Sequence, residues 1–268
     1  MAVIDEYVSR YPEQFVKVEG EKRGGARNNF FYLTSLVDAP YIMCCDQDDV
    51  WLPDKIAVTL ERMKKLEDEC GARKVPLLVF TELRVVDDRL KSISDTMSSY
   101  QQLECSRTEL KDIVVQNYIT GCAMMINRYL LHMVYGRNKK RKIKLENVIM
   151  HDWWCALIAA AYGRISFIKH PTILYRQHGS NSVGAKNVNT LRYAARKVAK
   201  FREIKESLEL TRIQAGEFQK CFLLDSDNMV SQYAHIRQRN KISRLIFYRK
   251  HRMSKSGSAR NVGFWLFG

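Results

Sequence analysis

At 268 residues, with 46% hydrophobic and 10% aromatic side chains, the chain is long enough for one large domain and too apolar to remain disordered. Its seven cysteines, at 44, 45, 70, 105, 122, 155 and 221, are odd in number and include no C-x-x-C pair, which argues against a disulfide framework and a zinc site and for a reducing, cytoplasmic compartment. The net charge of +15 is uneven: residues 183–268 hold 18 Lys/Arg against 6 Asp/Glu, a balance of +12, and residues 1–182 come to only +3. An anionic surface, lipid headgroups or nucleic acid, is therefore the expected partner of the C-terminal third.

No apolar run approaches the ~20 residues that cross a bilayer. Met1–Arg10 is amphipathic and mixed in charge, unlike a signal core. Met1–Tyr11 reads as helical turns with Val3, Ile4, Tyr7 and Val8 on one face, ended by Pro12; Phe15–Val18 reads as a short strand. Asn28 or Asn29 is placed to cap a helix through Phe30, Leu33 and Leu36.

Tyr41–Cys45 is a short apolar run and reads as a buried strand; Pro53–Glu69 is a helix by period, with Ile56, Leu60, Met63 and Leu66 on one face. Pro76–Phe80 is a strong strand that Arg84–Val86 extends. Ser92–Cys105 is polar and irregular, Glu109–Gln116 a short helix, Cys122–Ile126 a strand and Tyr129–Tyr135 a helix, followed by the basic loop Arg137–Lys144. Trp153–Tyr162 is a helix closed by Gly163, and Ile165–Ile168 and Thr172–Tyr175 are two strands joined at His170–Pro171. Helical spacing then takes over: Leu191, Ala194, Val198, Phe201, Lys205 and Leu208, and later Met229, Val230, Tyr233 and Ile236. Strands alternating with helices, then helices alone, predict an α/β domain over 1–184 with a basic helical region over 185–268.

Four groups of residues carry candidate chemistry. Asp46, Asp48 and Asp49 follow the strand at 41–45, at the carboxyl end where open α/β sheets bind ligands. Clustered carboxylates raise one another's pKa unless a cation neutralises them, and a hard divalent metal on a phosphate-bearing substrate does so; an acidic, solvated turn would use the same residues. Asp152, at the start of its helix, is either an N-cap or a general base whose pKa the helix terminus holds down. Trp153 and Trp154 beside it suit a sugar-stacking platform or the core. In the loop 176–181, Arg176 suits a phosphate and His178 a metal shell, or both belong to a hydrogen-bonded loop. Residues 235–260 hold nine Lys/Arg and no acid, and Phe247, Tyr248, Phe264, Trp265 and Phe267 lie in or after that stretch. That composition fits an interfacial helix on anionic lipid, nucleic acid, or a basic tail.

Four segments together resemble glycosyltransferase family 2 with the GT-A fold, and in particular its bacterial rhamnosyltransferase-like members of capsule and cell-wall polysaccharide pathways: Cys45–Lys55 (CDQDDVWLPDK), Thr120–Arg128 (TGCAMMINR), Met150–Trp154 (MHDWW) and Pro171–Asn181 (PTILYRQHGSN). The resemblance implies a three-layer α/β sandwich with a C-terminal helical appendage. It also implies an N-terminal strand–helix–strand with T-Y-N-G-like and D-D-G-S-like turns, which this chain does not show, so a GT-A domain truncated at its N-terminus is expected. Asp46 and Asp48 match the D-x-D motif that contacts the nucleotide and binds Mg²⁺ or Mn²⁺; Asp49 extends it. By the same resemblance the loop from Arg176 to Asn181 takes the place of the family's diphosphate or acceptor loop and Asp152 is the catalytic base; in such a site Arg176 would contact the nucleotide, His178 would join Asp48 and Asp49 at the metal, and Gly121, Trp153 and Trp154 would lie on the acceptor side. The implied reaction is inverting transfer of a sugar, such as rhamnose from its dTDP donor, to a lipid-linked saccharide at the inner membrane face. The implied partners are a nucleotide-sugar donor, that acceptor and an anionic membrane surface met by the basic C-terminus, with no nucleic acid. The alternative is a non-catalytic remnant that binds a membrane or a partner protein.

Overall fold

A computed structural model describes residues 2–18, 24–71, 74–138, 140–177 and 201–268. Helices α1 (Ala2–Arg10) and α2 (Gly25–Ser35) precede strands β1 (Tyr41–Met43) and β2 (Val50–Trp51), helix α3 (Lys55–Cys70), and strands β3 (Leu77–Val86) and β4 (Ser92–Ser94). Short helices α4 (Met97–Gln101) and α5 (Leu110–Ile113), strand β5 (Met124–Asn127), helices α6 (Arg128–Met133) and α7 (His151–Tyr162), and strand β6 (Arg164–Arg176) complete the α/β part.

The six-stranded sheet has the order β1-β5-β3-β6-β2, with β4 on β3 beyond the reach of β5. β3 and β6 are parallel; the other pairs are antiparallel. β3 is central because its sequence, LLVFTELRVV, is apolar on both faces over its first half. The two-residue period of a strand then sorts its side chains. Leu77 and Val79, with Met125 of β5, pack under Met63 and Leu66 of α3. Leu78 and Phe80, with Met124 and Ile126, face α7 on the other side. Helix, sheet and helix make the three layers that the resemblance implies.

Several elements differ from their sequence reading. Phe15–Val18 pairs with no strand and is mostly exposed, because an isolated edge segment has no ladder to join. α2 begins at Gly25, after Gly24 turns left-handed (φ 75°), so Asn28 and Asn29 sit inside the helix and cap nothing. The strand read over 41–45 stops at Met43, and β1 is an edge of the sheet among the described residues. The face of α1 that carries Val3, Ile4 and Tyr7 is exposed. Ser92–Cys105 is not irregular: Thr96 accepts a hydrogen bond from Ser99 N at 3.3 Å and so starts α4. β6 is one strand instead of two; the pairing with β3 slips between Thr81 and Glu82, and this bulge takes up Pro171, which cannot donate to a ladder.

Gly163 ends α7 for a reason other than left-handed geometry, since its φ is −149°. A Cβ there would lie 1.7 Å from the carbonyl oxygen of Pro76, so only glycine lets the end of α7 approach the start of β3.

Helices α8 (Phe201–Phe222), α9 (Met229–Ala234), α10 (Lys241–Lys250) and α11 (Ser258–Phe267) form the C-terminal region. Leu191, Ala194 and Val198 lie outside the described residues. α8 to α11 do not stand apart: Leu208, Phe218, Phe222, Tyr233, Tyr248 and Phe264 belong to the same apolar cluster as Leu78 and Trp154. The basic loop before α7 is held down as well. The buried carboxylate of Glu217 accepts hydrogen bonds from Arg141 (2.7 and 2.8 Å), from Lys144 N and from Asn147 Nδ2 (both 2.9 Å). No described helix is long and apolar enough to cross a membrane.

Candidate active site

β1, β3 and β6 run the same way, so their carboxyl ends meet at one side of the sheet. Asp46, Asp48 and Asp49 occupy the turn that leaves β1 there. β2 then pairs with Ile173 and Leu174 of β6 and draws the turn across that edge. Asp49 Oδ1 accepts a hydrogen bond from Arg176 N at 3.0 Å, while the Arg176 guanidinium donates to the carbonyls of Asp48 and Asp88, both at 2.9 Å.

The carboxyls of Asp46 and Asp49 and the thiol of Cys122 each offer an atom within 4.8 Å of the others. Asp49 Oδ2 is buried and has no hydrogen-bond partner among the described residues. Burial, and then the neighbouring Asp49 and Asp48, push Asp46 up to about 6; burial also raises Asp49. Burial with the two adjacent acids carries the Cys122 thiol far above its ordinary value, so it stays protonated. Two converging carboxylates, one with an orphaned oxygen, suit a hard divalent cation, whereas a protonated thiol does not ligate one. The structure thus brings together Asp46 and Asp49. The Asp48 carboxyl is not part of the trio, although Asp48 lines the cavity beside them. His178 lies outside the described residues.

Lys55 is a residue that the sequence reading passed over. It is fully buried behind the acidic turn, its Nζ has no hydrogen-bond partner among the described residues, and it lies 4.8 Å from the centre of the Trp51 ring. Burial lowers its ammonium to about 8.

Asp152 faces the same cavity from α7. Met150 is the N-cap, so Asp152 is in the first turn and is 8% exposed. Its Oδ1 accepts from Asn117 Nδ2 (3.1 Å) and from Trp153 N, and its Oδ2 accepts from Gly121 N (3.0 Å). These donors favour the ionised form, as the helix terminus was expected to do. Burial outweighs them, with Asp46 adding to it, and the carboxyl is raised to about 7. The sequence expectation of a depressed pKa is therefore reversed, and the group is more basic and better matched to proton abstraction near neutrality.

Three neighbours shape this base. His151 stacks on Phe30 at 4.1 Å between ring centroids, and burial lowers it to about 4, leaving a neutral ring. Gly121 serves Asp152 directly, and a Cβ on it would lie 2.6 Å from His151 Nε2. Gly121→Ala is expected to shift His151 and the carboxyl it backs and to lower kcat roughly 10- to 100-fold, in line with the cost of small misplacements; a steady-state assay of a variant with an unchanged circular dichroism spectrum checks this. Asn117 stands 35 positions ahead of Asp152 in the chain and only the fold joins them.

Trp153 lines the cavity and donates from Nε1 to the carbonyl of Ile113 at 2.6 Å. Trp154, expected on the acceptor side, does not line it. One residue further round the helix, it is fully buried, donates to the carbonyl of Val134 at 2.8 Å and packs edge-on to Phe218 at 5.4 Å.

The cavity holds about 410 Å³, and its walls include Asp46, Asp48, Glu82, Asn117, Asp152 and Trp153. Glu82 Oε1 accepts from Leu83 N (2.9 Å) and Met97 N (3.1 Å) and so ties α4 to the central strand. Asp46 and Asp48 at the strand end and the basic carboxylate of Asp152 thus share one ligand-sized space, with Asp49 behind its wall.

That arrangement, on a three-layer α/β sandwich, fits the family that the sequence resembles. Residues 2–134 match the family described as glycosyl transferase family 2, and the chain belongs to that family. The match holds Asp46, Asp48, Asp49 and Gly121; Asp152 lies beyond it. The chain is also similar to the dTDP-rhamnosyl transferase RfbG of Shigella flexneri, with 27% identity over 188 residues that cover 68% of this chain and 60% of that protein. The chain thus spans about 60% of the length of this relative.

Proposed function

We propose that the protein transfers a sugar, rhamnose from dTDP-rhamnose, to a hydroxyl of a lipid-linked saccharide, with inversion at the anomeric carbon, as a step in cell-surface polysaccharide synthesis. The observation that carries this reading is the shared cavity, with Asp152 on one wall and Asp46 and Asp48 on another. Similarity to a dTDP-rhamnosyl transferase supports the donor.

Asp152 takes the proton of the acceptor hydroxyl on Oδ2, which among the described residues accepts only from Gly121 N; Oδ1 is held by Asn117 and Trp153 N. The acceptor oxygen forms the new bond to the anomeric carbon as the bond to the nucleoside diphosphate breaks. Asp46 and Asp49 would hold Mg²⁺ or Mn²⁺, which supplies positive charge to the diphosphate leaving group. Asp152 works only when ionised, so kcat is expected to rise with pH through about 7 and level off above it.

Calorimetry with dTDP-rhamnose, with and without Mn²⁺, tests the reading. Binding should tighten with the metal, and Asp46→Asn and Asp49→Asn should each lose that gain, by roughly tenfold or more for a carboxylate ligand. A folded, monodisperse sample that binds no nucleotide sugar would instead favour a non-catalytic membrane- or partner-binding module.

A further inference from the structure

The charged third of the chain presents one helix face that the active site does not use. On α10, Ile242 is 72% and Ile246 62% exposed, and both project from the same side at i, i+4 spacing. Lys241, Arg249 and Lys250 are exposed around them. No acidic side chain pairs with these three cations among the described residues. The opposite face is anchored: Phe247 and Tyr248 are buried, Tyr248 rests on Phe264 at 4.7 Å, and Arg244 donates to the carbonyl of Gly268 at 2.9 Å. α10 is thus a rigid element of the fold, with two large aliphatic side chains held out in water inside a field of positive charge.

We infer that α10 is a docking face for an anionic phospholipid surface, lying in its plane with Ile242 and Ile246 between the headgroups and Lys241, Arg249 and Lys250 on the phosphates. Aliphatic side chains gain free energy in the acyl boundary, and cations gain it from the surface potential of anionic lipid; this face offers both together. Nucleic acid fits less well. A single strand wants exposed aromatic rings for base stacking, and the aromatics of this helix, Phe247 and Tyr248, are turned into the core. Exposed isoleucines contribute nothing to binding a phosphate backbone.

The face also has a structural route to the cavity. After α10 the chain turns back through Ser254 and Ser256. Arg107 Nη2 donates to Ser254 Oγ at 2.6 Å, Glu104 N to Ser256 Oγ at 3.1 Å, and Arg260 Nη2 to the carbonyls of Gln101 and Gln102. Gln101 and Leu103 line the cavity, so the segment that follows α10 in the chain is bonded to the cavity wall.

Co-sedimentation of the full chain with vesicles tests this and needs neither donor nor metal, so it can fail or succeed independently of the transfer reading. The protein should bind vesicles of phosphatidylglycerol and phosphatidylcholine, bind pure phosphatidylcholine weakly, and lose affinity as salt rises. The Lys241→Gln, Arg249→Gln, Lys250→Gln triple variant should bind about 100-fold more weakly, from roughly fivefold per cation. Ile242→Asp with Ile246→Asp should cost at least tenfold. All five side chains are exposed, so both variants should keep the wild-type unfolding midpoint. Binding that neither variant changes, no binding of anionic vesicles by the wild type, or salt-sensitive retention on DNA without vesicle binding would each overturn the assignment.

Discussion

Asp152→Asn is expected to lower kcat about 10³-fold and to leave donor affinity within about twofold, because the carboxylate acts on the acceptor proton and Asn keeps its size. Stopped-point transfer assays and calorimetry on one preparation separate the two effects. Equal turnover by the variant and the wild type would remove Asp152 from the chemistry. The same variant carries a second signature, in stability. Asp152 has its ordinary value of 3.8 when unfolded and about 7 when folded, so its protonated form stabilises the native state fully at low pH, and that contribution is lost as the pH rises through 7. His151, at 6.5 unfolded and about 4 folded, does the opposite: its cost at low pH disappears as the pH climbs past 6.5. Asp46, raised to about 6, adds to the side of Asp152 in both proteins. Removing Asp152 therefore leaves the variant gaining stability relative to the wild type as the pH goes from about 4.5 to about 6.5. Urea midpoints across that interval measure it, and parallel curves would mean that Asp152 is not the buried group described.

Gly163→Ala is expected to be the most damaging single-methyl change in the fold. The new Cβ would have to displace the Pro76 carbonyl, which is backbone and accepts a hydrogen bond from Arg164 N at 3.2 Å. No side-chain rotation relieves such a clash. The start of β3 must separate from β6, or the end of α7 must unwind, where Gly163 N donates to the carbonyl of Ala159 at 2.9 Å. A loss of about 3 kcal/mol or more follows, at the upper end of what overpacking does. Urea unfolding measures it directly, and a midpoint equal to that of the wild type would show that the close approach is not maintained in solution.

The layers of this fold were legible where period and burial agree: β3 announces itself in LLVFTELRVV and α3 in the spacing of Leu60, Met63 and Leu66, whereas Ile56, read on that face, is 55% exposed and Lys55 and Thr59 are buried instead. The site was legible as a set of residues and less so as a geometry. Asp152 was readable from its place at the start of a helix and from the motif around it. Its basicity was not, since it comes from burial of α7, and no local pattern states how deeply a helix end will sink. Similarly, D-x-D spacing draws attention to Asp46 and Asp48, yet the carboxyls that converge are those of Asp46 and Asp49. Pairing of β2 with β6 turns Asp49 toward Arg176 N, and that pairing joins residues more than a hundred positions apart. Trp154 was placed at the cavity because it adjoins Trp153, but a rotation of ~100° per residue put it in the core. Thr172 reads as the start of a second strand, with His170–Pro171 as the joint, because proline breaks ladders; the bulge opposite Glu82 let one strand continue.

The bonds from Ser254, Ser256 and Arg260 to the segment around Gln101 to Arg107 make one side of the sugar-sized space hang from the last few helices. Amino-acid drift in those helices can reshape that side without touching a carboxylate. Such changes would alter which molecule the cavity admits while leaving its acids in place.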